Sequence, residues 1–258
     1  MSIVFITVPG HAQENFANSL YEKTEGALKL VIIQKAPSKS LLERFARLIK
    51  RSGWGVFREV WYAFLIRMRS DMQKTLNYFR ESIHKSKRLI KVKVIETESV
   101  NSKEVEEVLK ELSPKILVVW GTAILKPHIL KTSEKAVNLH FGLCPYYRGA
   151  LANQYAVLCD DFEKIGATIH YINSKADSGE ILSTILAGNN SHPSDLFRDL
   201  NDRAINKYLE VVRDLYSGRE VESRPQDTTQ SKNFLLKYWT PKTRYKLAKK
   251  MRDWERRT

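Results

Sequence analysis

SKEVEEVLKELSPKILVVWG, Ser102 to Gly121, decides the fold class. SKEVEEVLKEL reads as a helix, with Ser102 as its cap and Glu104 and Glu106 in the first turns, where acidic side chains favour the helix dipole. Pro114 ends it. KILVVWG then runs apolar without alternation, as a strand covered on both faces of a parallel sheet does. A helix followed by a strand buried on both faces is the repeating unit of an α/β fold.

The same rhythm extends in both directions. SIVFITV reads as a first strand, Glu14 to Leu20 as a helix, and LKLVIIQK, Leu28 to Lys35, as a second strand. VKVIET is a further strand. Downstream, LKPHIL and a loop lead into the strand AVNLHFG. A helical LANQYAVLCDDF follows, then the strand IGATIHYIN, with SGEILSTILAG extending it or lying beside it. Ser194 to Tyr216 is a long amphipathic helix stopped by Ser217-Gly218. The expected architecture is Rossmann-like α/β: a mostly parallel, twisted sheet flanked by helices, with an α-helical insertion and a short C-terminal extension. The catalytic domain is placed at 1–218, with a basic helical insertion at about 38–90, and the basic extension at 219–258.

The insertion breaks the rhythm. LLERFARLIK and FREVWYAFLIRMRSDMQKTLNYFRESI both carry bulky apolar residues at helical spacing with Arg and Lys between them, and Ser52-Gly53-Trp54-Gly55 marks the joint. Trp61, Phe64, Leu65 and Met68 share one side, with Arg58, Arg67 and Arg69 around them. That composition suits packing against a domain or a second copy of the chain, which is the favoured expectation, or an anionic membrane surface. The extension holds Phe234, Tyr238, Trp239, Tyr245 and Trp254, too many aromatics for a free tail, so docking is expected.

The formal charge of +14 over 258 residues is unevenly spread. Ser38 to Lys91 carries a net +10 and Arg224 to Thr258 a net +8, leaving the remainder at −4. Such patches attract phosphorylated substrates, nucleic acid or anionic membranes. Two cysteines, Cys144 and Cys159, argue against a disulfide framework and point to a reducing cytoplasm. MSIVFITVPG has no basic region before its apolar run, so it makes a poor signal peptide.

Polar side chains gather at the predicted strand ends, where ligands sit in open α/β sheets. In VNLHFGLCPYYRGA, Asn138 and His140 are two residues apart and so share a face. GATIHYIN carries His170, and Asp177 follows seven residues later, beside a Gly179 that implies a tight backbone path. An amide can hold a carbonyl oxygen or the oxyanion formed from it. An imidazole can share that charge or move a proton, and a carboxylate can orient the imidazole and accept a proton from an attacking amine. The set suits acyl transfer to an amine without a covalent enzyme intermediate. Each residue also has an ordinary structural reading: a satisfied strand-end histidine, a turn-capping asparagine, a loop carboxylate. His140, His170 and Asp177 as metal ligands, or Cys144 as nucleophile, rest on side-chain type alone, and no metal is expected.

NLHFGLCPYYRGA resembles the signature of the folate-dependent formyltransferases, Asn-x-His-x-Ser-Leu-Leu-Pro with a glycine shortly after. GATIHYINSKADSGEIL resembles the second signature of that family, and VVWGTAILKPHIL its folate-pocket segment. The resemblance covers Lys91 to Gly218 well and Ser2 to Val31 weakly. It implies Asn138, His140 and Asp177 as the catalytic trio and 10-formyltetrahydrofolate as cosubstrate. The folate ring would be held around Trp120, Gly121, Thr122, Ala123, Ile124 and Leu125, with His170 shaping the site. Acceptor contacts would fall on Gly10, His11, Tyr147, Arg148 and Gly149.

The chain also departs from the family's pattern. Gly142-Leu143-Cys144-Pro145 stands where Ser-Leu-Leu-Pro is usual. Val8-Pro9-Gly10-His11-Ala12 replaces the Gly-Ser-Asn turn of members that act on glycinamide ribonucleotide. Only forty residues follow Gly218, against about a hundred in members that act on initiator tRNA. PYYRGA followed by NQYAV is most similar to members that formylate nucleotide-linked amino sugars. The expected acceptor is therefore a small phosphorylated amine, with no obligate nucleic acid. A homodimer is allowed by the aromatic insertion. The competing expectations are a formyltransferase for glycinamide ribonucleotide or methionyl-tRNA, a hydrolase of the formyl cosubstrate, and a non-catalytic protein binding nucleic acid or membrane.

Overall fold

The β-branched and apolar runs become strands β1 (Ile3–Thr7), β2 (Leu28–Gln34), β3 (Lys93–Thr97), β4 (Ile116–Trp120) and β5 (Lys135–His140) of one parallel sheet. The computed structural model describes residues 2–36, 40, 42–43, 46, 49–50, 53–79, 92–189, 192–229 and 231–258. A short strand β6 (Tyr147–Gly149) lies outside this sheet, and β7 (Gly166–Tyr171) and β8 (Ile181–Leu186) extend the sheet in antiparallel fashion. The strand order is β3-β2-β1-β4-β5-β7-β8. SGEILSTILAG thus forms a neighbour of β7 and does not prolong it.

Alternate residues of each parallel strand enter two apolar layers. On one face Ile3, Phe5, Val118 and Leu139 meet α1 (His11–Lys23) and α7 (Pro193–Ser217). On the other, Val4, Ile6, Leu117 and Val119 meet α4 (Lys103–Leu112) and α5 (Pro127–Leu130). The Ser102 hydroxyl accepts the Val105 N–H at 3.3 Å, so the expected cap is present. Tyr208 on α7 buries its hydroxyl between β4 and β5, accepting from the Val119 N–H at 3.0 Å and donating toward the Val137 carbonyl at 2.9 Å. A buried phenol has to find such partners, and these pin the long helix to the centre of the sheet.

The connection from β2 to β3 carries the expected basic helical segment. Of LLERFARLIK only residues 42–43, 46 and 49–50 are described, and residues 80–91 lie outside the described set. The expected second helix is divided into α2 (Val56–Met68) and α3 (Ser70–Asn77) by an extended Arg69. The Gln73 amide donates to the carbonyls of Ile66 and Arg67 at 3.3 and 2.8 Å, satisfying groups that the break frees.

The tail docks. After α6 (Ala152–Leu158), β8 and α7, the chain forms β9 (Lys232–Phe234), which pairs in parallel with β6, and then α8 (Pro241–Glu255). Leu247 and Met251 of α8 are fully buried in the larger apolar layer. Buried Glu59 of α2 accepts the Lys242 N–H at the start of α8 at 2.9 Å, a carboxylate at a helix N-terminus. Tyr62 meets Tyr245 at a ring distance of 5.1 Å. The basic helices and the basic tail therefore pack on one another.

Candidate functional site

The strand order reverses between β1 and β4, and the crevice outside the carboxyl ends of such strands is the general ligand position of this architecture. β5, next to β4, ends there with Asn138 and His140. Antiparallel pairing sets His170 of β7 directly opposite Asn138, and Thr168 opposite His140. The second apolar layer reaches β5 only at Ala136, so the polar side chains stand beyond its edge.

The loop after β7 brings back Asp177, which closes the cluster. One Asp177 carboxylate oxygen lies 3.4 Å from Asn138 Nδ2 and 3.4 Å from His170 Nε2. The other lies 3.6 Å from His140 Nδ1 and accepts the Gly149 N–H at 2.9 Å. His170 Nδ1 sits 2.8 Å from the Tyr171 carbonyl, and its Nε2 lies 3.2 Å from Asn138 Nδ2, beside the Asp177 carboxylate. His140 Nε2 faces the Tyr147 carbonyl at 3.0 Å. Asn138 and His140 of β5, His170 of β7 and Asp177 of the following loop thus form one connected cluster.

Burial pushes the Asp177 carboxyl upward, but the His140 charge, the two interactions with His170 and the Gly149 N–H outweigh it. The net shift is well below the usual carboxylate range. Asp177 is therefore an ionised anchor at neutral pH and a weak base. Its backbone φ of 45° is left-handed, a conformation Asp tolerates better than most side chains. Gly179 makes the close approach expected of it, to protein: a Cβ there would lie 1.8 Å from the Tyr171 carbonyl oxygen.

Gly142 has a local explanation. A Cβ at this position would lie 2.3 Å from His140 Nε2, 2.4 Å from the Ala152 Cβ and 2.7 Å from the Tyr147 carbonyl oxygen. The missing side chain is what lets the imidazole reach that carbonyl. Cys144 is buried beside the Asp177 carbonyl, and burial first, then the Asp177 charge, push its thiol up to about 12. A thiol that stays protonated is no nucleophile at neutral pH. Brief alkylation of the folded protein at neutral pH is expected to modify exposed Cys159 and spare Cys144, read by peptide mass spectrometry. Comparable labelling of both would restore Cys144 as a candidate.

The other expected site residues divide. Tyr147 is turned into the core: its ring stacks on Phe234 at 5.5 Å and its hydroxyl donates to Asp161 at 2.5 Å, so its side chain is not placed for an acceptor. Arg148 is held by the Ser231 hydroxyl and the Ala176 carbonyl. Gly149, with φ of 85°, has no room for a side chain, since a Cβ would meet the Phe234 carbonyl oxygen at 2.4 Å. These three residues build the wall that carries the Asp177 clamp. Gly10 and His11 lie at the start of α1 after β1, two strands from β5. The segment expected to line a folate pocket follows β4. Trp120 packs its ring between Phe16 and Phe141, and Leu125 is buried in the second apolar layer, so both support the loop from beneath. Gly121, Thr122, Ala123 and Ile124 remain on its outer side, and Ile124 is exposed. The Gln34 side chain accepts the Ala123 N–H at 2.9 Å, and Asn101 donates to the Ile124 carbonyl at 3.0 Å. Sequence reasoning missed both residues, because polar groups at strand and loop ends carry no signal of their distant partners.

A cavity of about 760 Å³ adjoins the start of α6, between α2, α3 and α8. Its walls include Arg67, Arg244, Phe79, Trp239, Leu151 and Gln154. Among the described residues neither guanidinium makes an ion pair. Among the same residues, no group of three or more His, Cys, Asp or Glu is arranged to hold a metal ion.

An amide, two imidazoles and a carboxylate thus meet beside the strand ends of a doubly covered sheet, groups able to polarise a carbonyl and to hold a proton. The chain belongs to the formyl transferase family, whose model matches residues 60–211, more than half of its length. That match begins inside α2, so it takes in most of the two helices that sequence reasoning had set outside the resemblance. Methionyl-tRNA formyltransferase of Syntrophomonas wolfei is 26% identical over 145 residues, 55% of this chain and 46% of the relative. The chain thus spans less than half the length of this curated relative. A sugar N-formyltransferase from a Shewanella species superposes with a TM-score of 0.57 at 13% identity, covering 92% of this chain and 77% of that one. An N-formyltransferase from Helicobacter canadensis, in complex with folinic acid and dTDP-3-aminofucose, gives 0.55 at 18% identity, covering 91% and 71%. At these identities the structural likenesses establish a shared fold.

Proposed function

We propose that the chain transfers a formyl group from 10-formyltetrahydrofolate to the primary amine of a nucleotide-linked amino sugar. The observation that carries this reading is the convergence of Asn138, His140 and Asp177 on one point at the strand ends of a formyl transferase fold. The cosubstrate supplies a one-carbon acyl group carried on nitrogen. The outer side of Gly121 to Ile124 offers it a rigid backbone edge, fixed from behind by Gln34 and Asn101. The Asn138 Nδ2 contact to Asp177 is long, at 3.4 Å, so this N–H can turn instead to an oxygen that gains negative charge as an amine attacks. His140, oriented by Asp177, shares that charge and relays the proton the amine loses to the carrier nitrogen, whose bond to the formyl carbon breaks as the new C–N bond is completed.

The acceptor class is supported by the cavity beside α6. None of the four cluster residues lines it, but its volume suits a mid-sized ligand. The guanidinium groups of Arg67 and Arg244, without an ion pair among the described residues, suit a diphosphate, and Trp239 and Phe79 suit a base. The Helicobacter canadensis neighbour is bound to an amino sugar on a nucleotide, which agrees with this choice. Incubation with 10-formyltetrahydrofolate and a panel of nucleotide-linked amino sugars is expected to release tetrahydrofolate and formylated sugar. Turnover of glycinamide ribonucleotide or methionyl-tRNA in place of the panel would reassign the acceptor. Release of formate with no amine present would make the protein a hydrolase, and absence of folate binding would make it a non-catalytic member of the fold.

A further inference from the structure

Helix α2 is apolar on two opposite sides. Val56, Glu59, Tyr62 and Ile66 form the stripe that packs on the rest of the protein. Among the described residues the other stripe is uncovered: Trp54 is 94% exposed, Phe57 73%, Trp61 57%, Phe64 49% and Met68 66%. Trp61 and Phe64 stack on one another at 5.7 Å instead of on a neighbouring element. Four large side chains at positions 57, 61, 64 and 68 recur at helical spacing, so this is a continuous face and not scattered surface residues.

Charge decides what such a face fits. Arg58, Arg67 and Arg69 flank it and are exposed. The two acids of residues 53–79 are turned to other tasks: Glu59 is buried against the start of α8, and Asp71 lies 3.5 Å from Arg252. The rim is therefore cationic. A two-fold pairing of this face with itself would bring the arginines of both copies together, a like-charge juxtaposition that opposes association. Tryptophan with phenylalanine, methionine and arginine is the composition of helices that lie in the headgroup layer of a bilayer. At thirteen residues, α2 is about 20 Å long and too short to span one. Among the described residues no helix is long and apolar enough to cross a membrane.

We infer that the exposed face made by Trp54, just before α2, and by Phe57, Trp61, Phe64 and Met68 of α2 docks the protein on an anionic lipid surface, lying in its plane. This inference does not rest on the proposed activity. The apolar stripe enters the acyl boundary, Arg58 and Arg69 meet the phosphates, and the α8 side of the helix stays on the protein.

The test is co-sedimentation of the full chain with vesicles of phosphatidylcholine alone or mixed with phosphatidylglycerol. Partitioning is expected to be at least about tenfold stronger to the anionic vesicles and to weaken with added salt. The double variant Trp61→Glu/Phe64→Glu should lose about tenfold or more while keeping the wild-type melting midpoint, since both side chains are exposed. If that variant does not fold, Arg58→Ser/Arg69→Ser is the second probe, and it should erase the preference for anionic vesicles. Equal sedimentation with both vesicle types, or with neither, overturns the inference, as does undiminished binding by the variants. A wild-type dimer that either double variant converts to monomer, without vesicle binding, would assign the face to a second copy of the chain.

Discussion

Asp177→Asn is expected to lower kcat/KM for formyl transfer by a factor of about 10²–10⁴ while leaving the fold intact. The carboxylate serves four groups at once: Asn138, His140, His170 and the Gly149 N–H. An amide of the same shape has one acceptor oxygen and one donor group, so it cannot present acceptors to both imidazoles and the backbone. It also removes the negative charge that faces His140. Because the carboxyl is held well below its ordinary range, its part is to fix charge and orientation more than to take up a proton. Steady-state kinetics with the accepted amine checks the prediction, and near-normal rates would remove Asp177 from this role.

The same depressed carboxyl carries a stability consequence with a definite sign. The native state binds fewer protons here than the unfolded state between the folded pKa and the ordinary carboxylate value. The contribution is fully present above the ordinary value and is lost as pH falls through the folded one. Denaturation of wild type and Asp177→Asn should therefore differ most near neutral pH, with the gap closing in acid. A gap that widens in acid would contradict the site's electrostatics.

Removal of residues 225–258 is expected to abolish cooperative folding. Leu247 and Met251 are each fully buried, and burying a side chain of that size contributes about 1.5–3 kcal/mol against a typical total of about 5–15 kcal/mol. The deletion also strips α2 and α3 of the helix they pack on, and takes away Phe234, which stacks between Tyr147 at 5.5 Å and Tyr155 at 4.1 Å. The site would suffer with the core. The Phe234 carbonyl holds the Ala150 N–H at 2.9 Å, the Lys232 N–H holds the Tyr146 carbonyl at 2.8 Å, and Gln226 bonds the Gly179 carbonyl in the Asp177 loop. Urea unfolding and solubility of the shortened chain check this. A soluble product with a sharp transition at the wild-type midpoint would show the tail to be an accessory.

The parallel sheet was legible because strands buried on both faces read as unbroken apolar runs, and the helices between them announce their caps. Asn138 and His140 were legible because two residues of spacing place them on one face, and His170 because a strand with its own signature ends nearby. The antiparallel turn of β7 and β8 was not, since alternation says which residues are covered but not the direction of the neighbouring strand. The break at Arg69 was missed for a related reason: helical periodicity runs through it, and only packing around α8 and the Gln73 cap decide it.

Gly142 shows the division most sharply. By sequence it marks a departure from the family's serine. In three dimensions its bare Cα is the space through which His140 reaches the Tyr147 carbonyl. Sequence by itself determined the fold class, the chemistry-bearing residue types and their common strand end, all of which are properties of short-range pattern. Tertiary structure alone decided which atoms Asp177 reaches in the cluster, that the tail supports the site wall, and that among the described residues one face of α2 stays bare. Those outcomes depend on contacts between segments tens to hundreds of residues apart, and local propensity carries no record of them.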